Sequence, residues 1–129
     1  MTDKLALTIE DDPDLAEIYD QALRGAGYKT EIIYDGKAAQ KRLGDVVPHL
    51  IVLDILLPGI SGQDLLSQIR ADKRLKGTIV LVATADTTMA EVCRDSADFV
   101  LVKPIFFSQL CDIASRLHDY HQSSNRIFL

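Results

Sequence analysis

Five polar side chains in this sequence stand where an apolar run stops. Glu10 and Asp11 follow residues 5–9, Asp54 follows 50–53, Thr84 follows 78–83, and Lys103 follows 99–102. Together they would supply three carboxylates, one alcohol and one ammonium. Two carboxylates about 4 Å apart repel by roughly 4 kcal/mol at an effective dielectric near 20, so the group persists only if a cation binds or a proton is taken up. All the donors are oxygen, which calls for a hard ion. Mg2+ fits, because it takes one or two protein carboxylates and completes its shell with water and phosphate oxygens. No histidine or cysteine lies in these motifs, which argues against zinc or copper. A carboxylate beside such an ion, an alcohol and an ammonium suits phosphoryl transfer. Asp54 is then the candidate nucleophile, able to form an aspartyl phosphate, and Glu10 and Asp11 hold the metal directly or through water. By itself Asp54 could merely solvate a strand end; the other four residues weigh against that.

The elements that must position these groups can be read from apolar spacing. The unbroken run 50–53 fits a strand buried on both faces, and the charge after it marks the strand's carboxyl end, where open α/β sheets keep their ligand sites. Pro58, Gly59 and Gly62 shape the loop that follows. Residues 5–9 form the first strand. Asp12 caps the next helix, with Pro13 at its first position, Leu15, Ile18, Tyr19, Ala22 and Leu23 at helical spacing, and Gly25 and Gly27 at its exit. A short strand at 29–33 precedes a weakly apolar helix at 36–43. Ser61 caps a third helix that buries Leu65, Leu66 and Ile69 and breaks at Lys76-Gly77. A strand at 78–83 ends at Thr84, a short helix covers 88–95, and a strand covers 99–102. Ser108 caps a last helix whose apolar face carries Leu110, Ile113, Ala114 and Leu117. Strand and helix alternate five times, and right-handed crossovers make that a doubly wound parallel sheet with all five polar residues on one edge.

With 129 residues, the chain is expected to be one domain, residues 1–121, with 122–129 an unassigned tail that is polar and then abruptly apolar. The 47% apolar and 26% charged composition fits a globular protein rather than a disordered one. A net charge of −5 argues against direct nucleic-acid binding by this domain, though not by something attached to it. No apolar run approaches the roughly 20 residues of a membrane span, and no signal-peptide pattern opens the chain. Cys93 and Cys111 are read as small apolar thiols of a reducing compartment, the cytoplasm, with a disulfide the lesser alternative.

Glu10-Asp11, the stretch LDILLPGISG with Asp54, Pro58 and Gly62, Ala83-Thr84-Ala85, and Lys103-Pro104 occur in this order and at these intervals. In that, the chain resembles a response-regulator receiver domain, the phosphoacceptor half of two-component signalling, over about residues 4–120. The resemblance implies a flavodoxin-like α/β fold with a five-stranded parallel sheet in the order 2-1-3-4-5 and five helices. It implies binding of Mg2+ (or Mn2+) and phosphorylation of Asp54 by a histidine kinase or phosphotransfer protein, with no enzymatic activity beyond that self-directed chemistry. Asp11 and Asp54 would ligate the metal with the backbone carbonyl of Leu56. Thr84 and Lys103 would contact the phosphoryl group, and the Lys103–Pro104 bond would be cis, which only proline makes cheap. A homodimer is compatible with it. The downstream protein is not named by the sequence.

Two departures bear on output. Receivers carry an aromatic ring or histidine three residues before the lysine, and here that position is Val100. Phe99 should point to the opposite face, because strand side chains alternate, so a ring swing is not expected to be the switch. The interval from Thr84 to Lys103 is also about three residues short for the family, with Ser96 where a glycine is usual, which implies a fourth helix about one turn shorter. The expectation is a receiver that is phosphorylated but signals through another surface.

Several residues have plainer readings. His118 and His121 are expected to be exposed helix residues rather than ligands, and His49 sits at the wrong end of its strand for catalysis. Asp12 is favoured as a cap over an extra acid near the metal. Asp86, two residues past Thr84, either acts on an attacking water and so tunes phosphoryl lifetime, or is a solvated loop residue. Phe106 and Phe107 are expected to pack. Two other functions compete. A Mg2+-dependent phosphohydrolase would want a second acid two residues beyond the nucleophile, where this chain has Leu56. A pseudo-receiver acting as a constitutive interaction domain is favoured by Val100 and the short helix and opposed by the complete acid, threonine and lysine set.

Overall fold

The long apolar runs become strands because each is flanked on both faces by helices that also need partners. In the computed structural model, which describes residues 3–127 with side chains through residue 120, the order is β1 (Leu5–Ile9), α1 (Pro13–Gly25), β2 (Lys29–Ile33), α2 (Gly36–Leu43), β3 (Leu50–Asp54), α3 (Gly62–Ala71), a 3-10 turn (Lys73–Leu75), β4 (Ile79–Thr84), α4 (Thr87–Cys93), β5 (Phe99–Val102) and α5 (Phe107–Ile127). The strands form one parallel sheet in the order β2-β1-β3-β4-β5, as expected. The strand order reverses between β1 and β3, with β2 added on one side and β3 to β5 on the other, so a crevice opens at their carboxyl ends.

Two cores follow from strand alternation. On one face Ala6, Leu50, Val52, Leu81 and Ala83 pack with Tyr19, Ala22 and Leu23 of α1 and Leu110, Ala114 and Leu117 of α5. On the other Leu7, Ile9, Ile51, Leu53, Val80 and Val82 pack with α2, α3 and Cys93 of α4. All five residues of β3 are buried. Each apolar side chain there contributes about 1.5–3 kcal/mol by leaving water.

The register aligns the site. Ile9 pairs with Leu53, Asp54 with Ala83, and Thr84 with Val102. Taken across the sheet, Glu10, Asp54, Thr84 and Lys103 therefore each emerge within one step of the next, and all four lie within two residues of one level. Beyond the strand ends, Glu10 N–H donates to Ile33 O (3.0 Å) and Lys103 N–H to Thr84 O (2.8 Å), which extends the pairing to the site residues themselves.

α4 runs Thr87–Cys93 rather than 88–95, and three further boundaries also differ from expectation. α3 does not run to Lys76-Gly77; it stops at Ala71, where Asp72 turns extended (φ −88°, ψ 113°) and its carboxylate takes the Arg74 N–H (2.9 Å) to start the 3-10 turn. That Asx turn offers the backbone an alternative to another helical residue. Ser108 does not cap α5. The Phe106 carbonyl already accepts the Leu110 N–H (3.1 Å), so Phe106 holds the cap position and Ser108 lies inside the helix. Finally, α5 continues to Ile127, through most of the stretch left unassigned above; residues 128 and 129 lie outside the described residues.

Candidate functional site

β1 delivers Glu10 and Asp11 to the sheet edge, and the next turn is locked at once. The Asp12 carboxylate accepts from Asp14 N–H (2.9 Å) and Leu15 N–H (3.3 Å), with Pro13 at the first helical position, so Asp12 is the helix cap. Its own N–H donates to Glu10 Oε2 (3.2 Å), which ties the cap to the buried acid.

Asp54 ends β3 and is 5% exposed; Glu10 is 1% exposed, while Asp11 reaches solvent. The Leu56 N–H donates to Asp54 Oδ1 (3.2 Å), which orients the carboxylate. Leu56 itself is exposed. The loop after Asp54 is pinned by close packing of backbone on backbone. Gly62, the first residue of α3, donates its N–H to Ile55 O (3.0 Å), and a Cβ there would lie 2.5 Å from both Asp54 O and Ile55 Cα. Gly59 takes φ +78°, the left-handed conformation that glycine adopts without penalty.

One carboxylate oxygen from each of Glu10, Asp11 and Asp54 lies within 4.8 Å of the other two. Lys103 Nζ sits 2.8 Å from Glu10 Oε1 and 3.6 Å from Asp54 Oδ2. Burial pushes the Glu10 carboxyl up to about 7; the Lys103 hydrogen bond opposes this and neighbouring Asp54 adds to it. Burial works against the Lys103 charge, but the Glu10 hydrogen bond and the Asp54 charge outweigh it and hold its pKa above the usual lysine value. An all-oxygen trio, two members buried and one solvent-facing, is a donor set suited to a hard divalent cation.

Thr84 is fully buried at the end of β4, and its Oγ1 accepts the Asp86 N–H (3.1 Å). A threonine hydroxyl that accepts one bond still has its proton to give. The Asp86 carboxylate in turn accepts from Thr88 N–H (2.9 Å) and Met89 N–H (3.2 Å), so it is the cap of α4, a role the sequence reading did not consider. The Lys103–Pro104 bond is cis. Val100 packs into the core on the α4 face, and Phe99 lines a cavity of about 430 Å³ on the other face with Leu117 and Tyr120, so the two do point apart. α4 spans seven residues. Ser96 replaces the family glycine without strain, since no non-glycine among the described residues has positive φ.

The residues set aside also find places. His49 Nδ1 accepts the Leu5 N–H (3.4 Å) at the edge remote from the acids. His118 is half-buried and meets Tyr28 edge-on at 5.0 Å, rather than standing exposed; the side chain of His121 lies outside the described residues. Both cysteines are free. Phe106 is 67% exposed, contrary to the expectation that it packs. Sequence reasoning missed two features. Arg70 of α3 donates to Ser96 O (2.5 Å), Thr78 O (3.3 Å) and Asp98 Oδ2 (2.7 Å), fastening the segment after α4. Tyr19, read only as part of an apolar stripe, buries a hydroxyl that has no hydrogen-bond partner among the described residues.

Residues 6–115 match the family model described as "Response regulator receiver domain". The DNA-binding response regulator MtrA of Mycolicibacterium smegmatis is 37% identical over 101 residues, which are 76% of this chain and 43% of that protein. The match thus spans under half the length of that relative. "Probable methanogenesis regulatory protein FilR2" of Methanothrix harundinacea is 30% identical, with 95% of this chain and 86% of that protein covered. Among solved structures, the signal receiver domain of a signal transduction histidine kinase from Syntrophus aciditrophicus superposes with a TM-score of 0.80 at 28% identity, covering 90% of each chain. No helix among the described residues is long and apolar enough to cross a membrane.

Proposed function

The chain belongs to the response regulator receiver domain family, and from that premise we propose that it is a Mg2+-dependent switch in which Asp54 takes a phosphoryl group from a histidine kinase or phosphotransfer protein. The observation that carries the reading is the convergence of Glu10, Asp11 and Asp54 oxygens within 4.8 Å, with Lys103 Nζ against two of those acids. Glu10, Asp11 and Asp54, with the Leu56 carbonyl, would hold the ion. When bound, it supplies positive charge beside the transferring phosphoryl oxygens.

The remaining chemistry belongs to the chain. An Asp54 carboxylate oxygen bonds to phosphorus as the donor's P–N bond (from phosphohistidine) or P–O bond (from acetyl phosphate) breaks, and the bonding pair leaves with the imidazole nitrogen or with acetate. The Leu56 N–H holds the carboxylate in place. Lys103 is poised between Glu10 and Asp54, and turning it to a phosphoryl oxygen offsets the added charge of about −1.5 to −2. The Thr84 proton supplies a further hydrogen bond.

A rotation of the Thr84 side chain toward the phosphoryl group would shift its bond with the Asp86 N–H, and Asp86 caps α4. Couplings of this kind are commonly about 1–3 kcal/mol. With Val100 in place of a ring, the output is carried by the corner at residues 85–88 rather than by a side chain swinging through β5. In this reading the upstream partner is a histidine kinase or phosphotransfer protein, and the domain works in the cytoplasm, as its free cysteines also suit.

Incubation with acetyl phosphate and Mg2+, followed by intact mass measurement, tests the reading. One stable phosphoryl adduct, absent in Asp54→Asn, is expected. Rapid turnover of the donor without an adduct would make the chain a phosphohydrolase. No adduct and no turnover would make it a pseudo-receiver, the reading that Val100 and the seven-residue α4 favour.

A further inference from the structure

Tyr19 is 1% exposed, and its hydroxyl has no hydrogen-bond partner among the described residues. A buried polar group left in this state is uncommon and calls for a reason, since phenylalanine would fill the same apolar space without it. Tyr19 belongs to the same buried core as Val52, Ala83 and Ile105, which precede Asp54, precede Thr84 and follow Lys103-Pro104 respectively. Long side chains on a helix lean toward its amino end. In α1 that end is the site end, capped by Asp12. Strand alternation puts Glu10, Asp54 and Lys103 on this same face of the sheet, in line with Ala6, Val52 and Leu101 of the α1–α5 core. The electrostatics agree: burial raises the Tyr19 pKa, Lys103 lowers it, and Glu10, Asp54 and Asp12 raise it, so the phenol lies within the field of the whole site.

We propose that Tyr19 is a positioning residue for Lys103, its hydroxyl oxygen accepting a hydrogen bond from the Lys103 ammonium when that ammonium turns from Glu10 and Asp54 to a phosphoryl oxygen on Asp54. The inference rests on the phosphoacceptor reading above. An ammonium has three donors and no acceptor. In the present state Glu10 Oε1 (2.8 Å) and Asp54 Oδ2 (3.6 Å) face it. Phosphorylation alters both partners at once, because Asp54 becomes an acyl phosphate and Glu10 faces the ion site. A neutral acceptor in the layer beneath then keeps the lysine stem directed at the phosphoryl group. The hydroxyl without a partner is the vacant half of an arrangement completed in the phosphorylated state.

The test uses the intact chain with acetyl phosphate and Mg2+. Tyr19→Phe is expected to melt at the wild-type temperature or above it and to take phosphate about three- to tenfold more slowly at saturating donor, the size of one hydrogen bond. The donor concentration for half-maximal rate should not change. In the wild type labelled with 13C-tyrosine, the Tyr19 Cζ resonance, assigned by through-bond correlations, should move on phosphorylation. Equal rates in wild type and Tyr19→Phe overturn the inference. So does a Tyr19 resonance that stays in place when the wild type is phosphorylated, whether or not the variant folds, because a purely structural tyrosine would slow the reaction without sensing Lys103. A wild type that takes no phosphate removes the phosphoacceptor reading and this inference together; a labelled wild type with an unaffected variant removes this inference alone.

Discussion

Gly62→Ala concentrates the structural argument in one methyl group. The added Cβ would sit 2.5 Å from Asp54 O and Ile55 Cα and 2.7 Å from Ile55 O, where ordinary contact begins near 3.4 Å. All three neighbours are backbone, so no side chain can rotate away. Either α3 or the end of β3 must move by roughly 0.5–0.9 Å, judged from the gap between 2.5 Å and the 3.0–3.4 Å that real contacts tolerate. Overpacking of this sort costs about 1–3 kcal/mol, partly offset by about 0.4–1 kcal/mol from the lower entropy of the unfolded chain. For a domain of this size each kcal/mol lowers the melting temperature by about 3–5 °C. The kinetic effect should be larger than the stability effect, because the displaced backbone carries the nucleophile, and a misplacement near 1 Å can cost about a hundredfold in rate. Urea unfolding and acetyl-phosphate labelling should therefore show a modestly destabilised variant that labels at least about tenfold more slowly. Gly77→Ala is the control: a Cβ there meets nothing within 4 Å, so it should be neutral or slightly stabilising and label normally. A Gly62→Ala protein as stable as the wild type and labelled at the same rate would refute the claim that this close approach sets the position of Asp54.

Asp86→Ala should lose about 0.5–2 kcal/mol through the vanished α4 cap, with Asp86→Asn restoring most of it by thermal melting. If the side chain only caps, phosphoryl lifetime will be the same in wild type and Asp86→Asn; a changed lifetime would show that its charge acts on the attacking water. Asp11→Asn, which removes the solvent-facing member of the acid trio, should weaken Mg2+ binding measured by calorimetry while leaving the melt without Mg2+ little changed. Burial, with Lys4 and His118, holds the His49 pKa below its ordinary 6.5. The unfolded chain therefore binds more protons than the folded one just below that value, and stability falls as the pH drops through it. His49→Gln should flatten that loss in urea melts taken at successive pH values, and an unchanged slope would count against His49 as its source.

How the prediction and the structure divide is clearest at single residues. Asp12 as a cap before Pro13, Ser61 as a cap before Gly62, and Gly59 in a turn were all legible, since each depends on a few neighbours along the chain. The α5 start was not, because Ser108 meets every local rule for a cap and was overruled by the Phe106 carbonyl already serving Leu110. The end of α3 was misplaced for a related reason. Asp72 closes the helix through Arg74, whose guanidinium also reaches Leu43 O (2.6 Å), a partner 31 residues away.

Residue types and spacing alone settled that this chain alternates strand and helix and that its acids, threonine and lysine leave the strands at one edge, because periodicity and crossover handedness are properties of the chain itself. Only tertiary packing decided that Lys103 rests on Glu10, 93 residues distant, more closely than on Asp54. It likewise buried the Tyr19 hydroxyl, made Asp86 the link from Thr84 to α4, and let a side chain from α3 fasten the segment after α4. Those choices rest on which surfaces meet after folding, and contact between residues so far apart leaves no periodic trace in the order of amino acids.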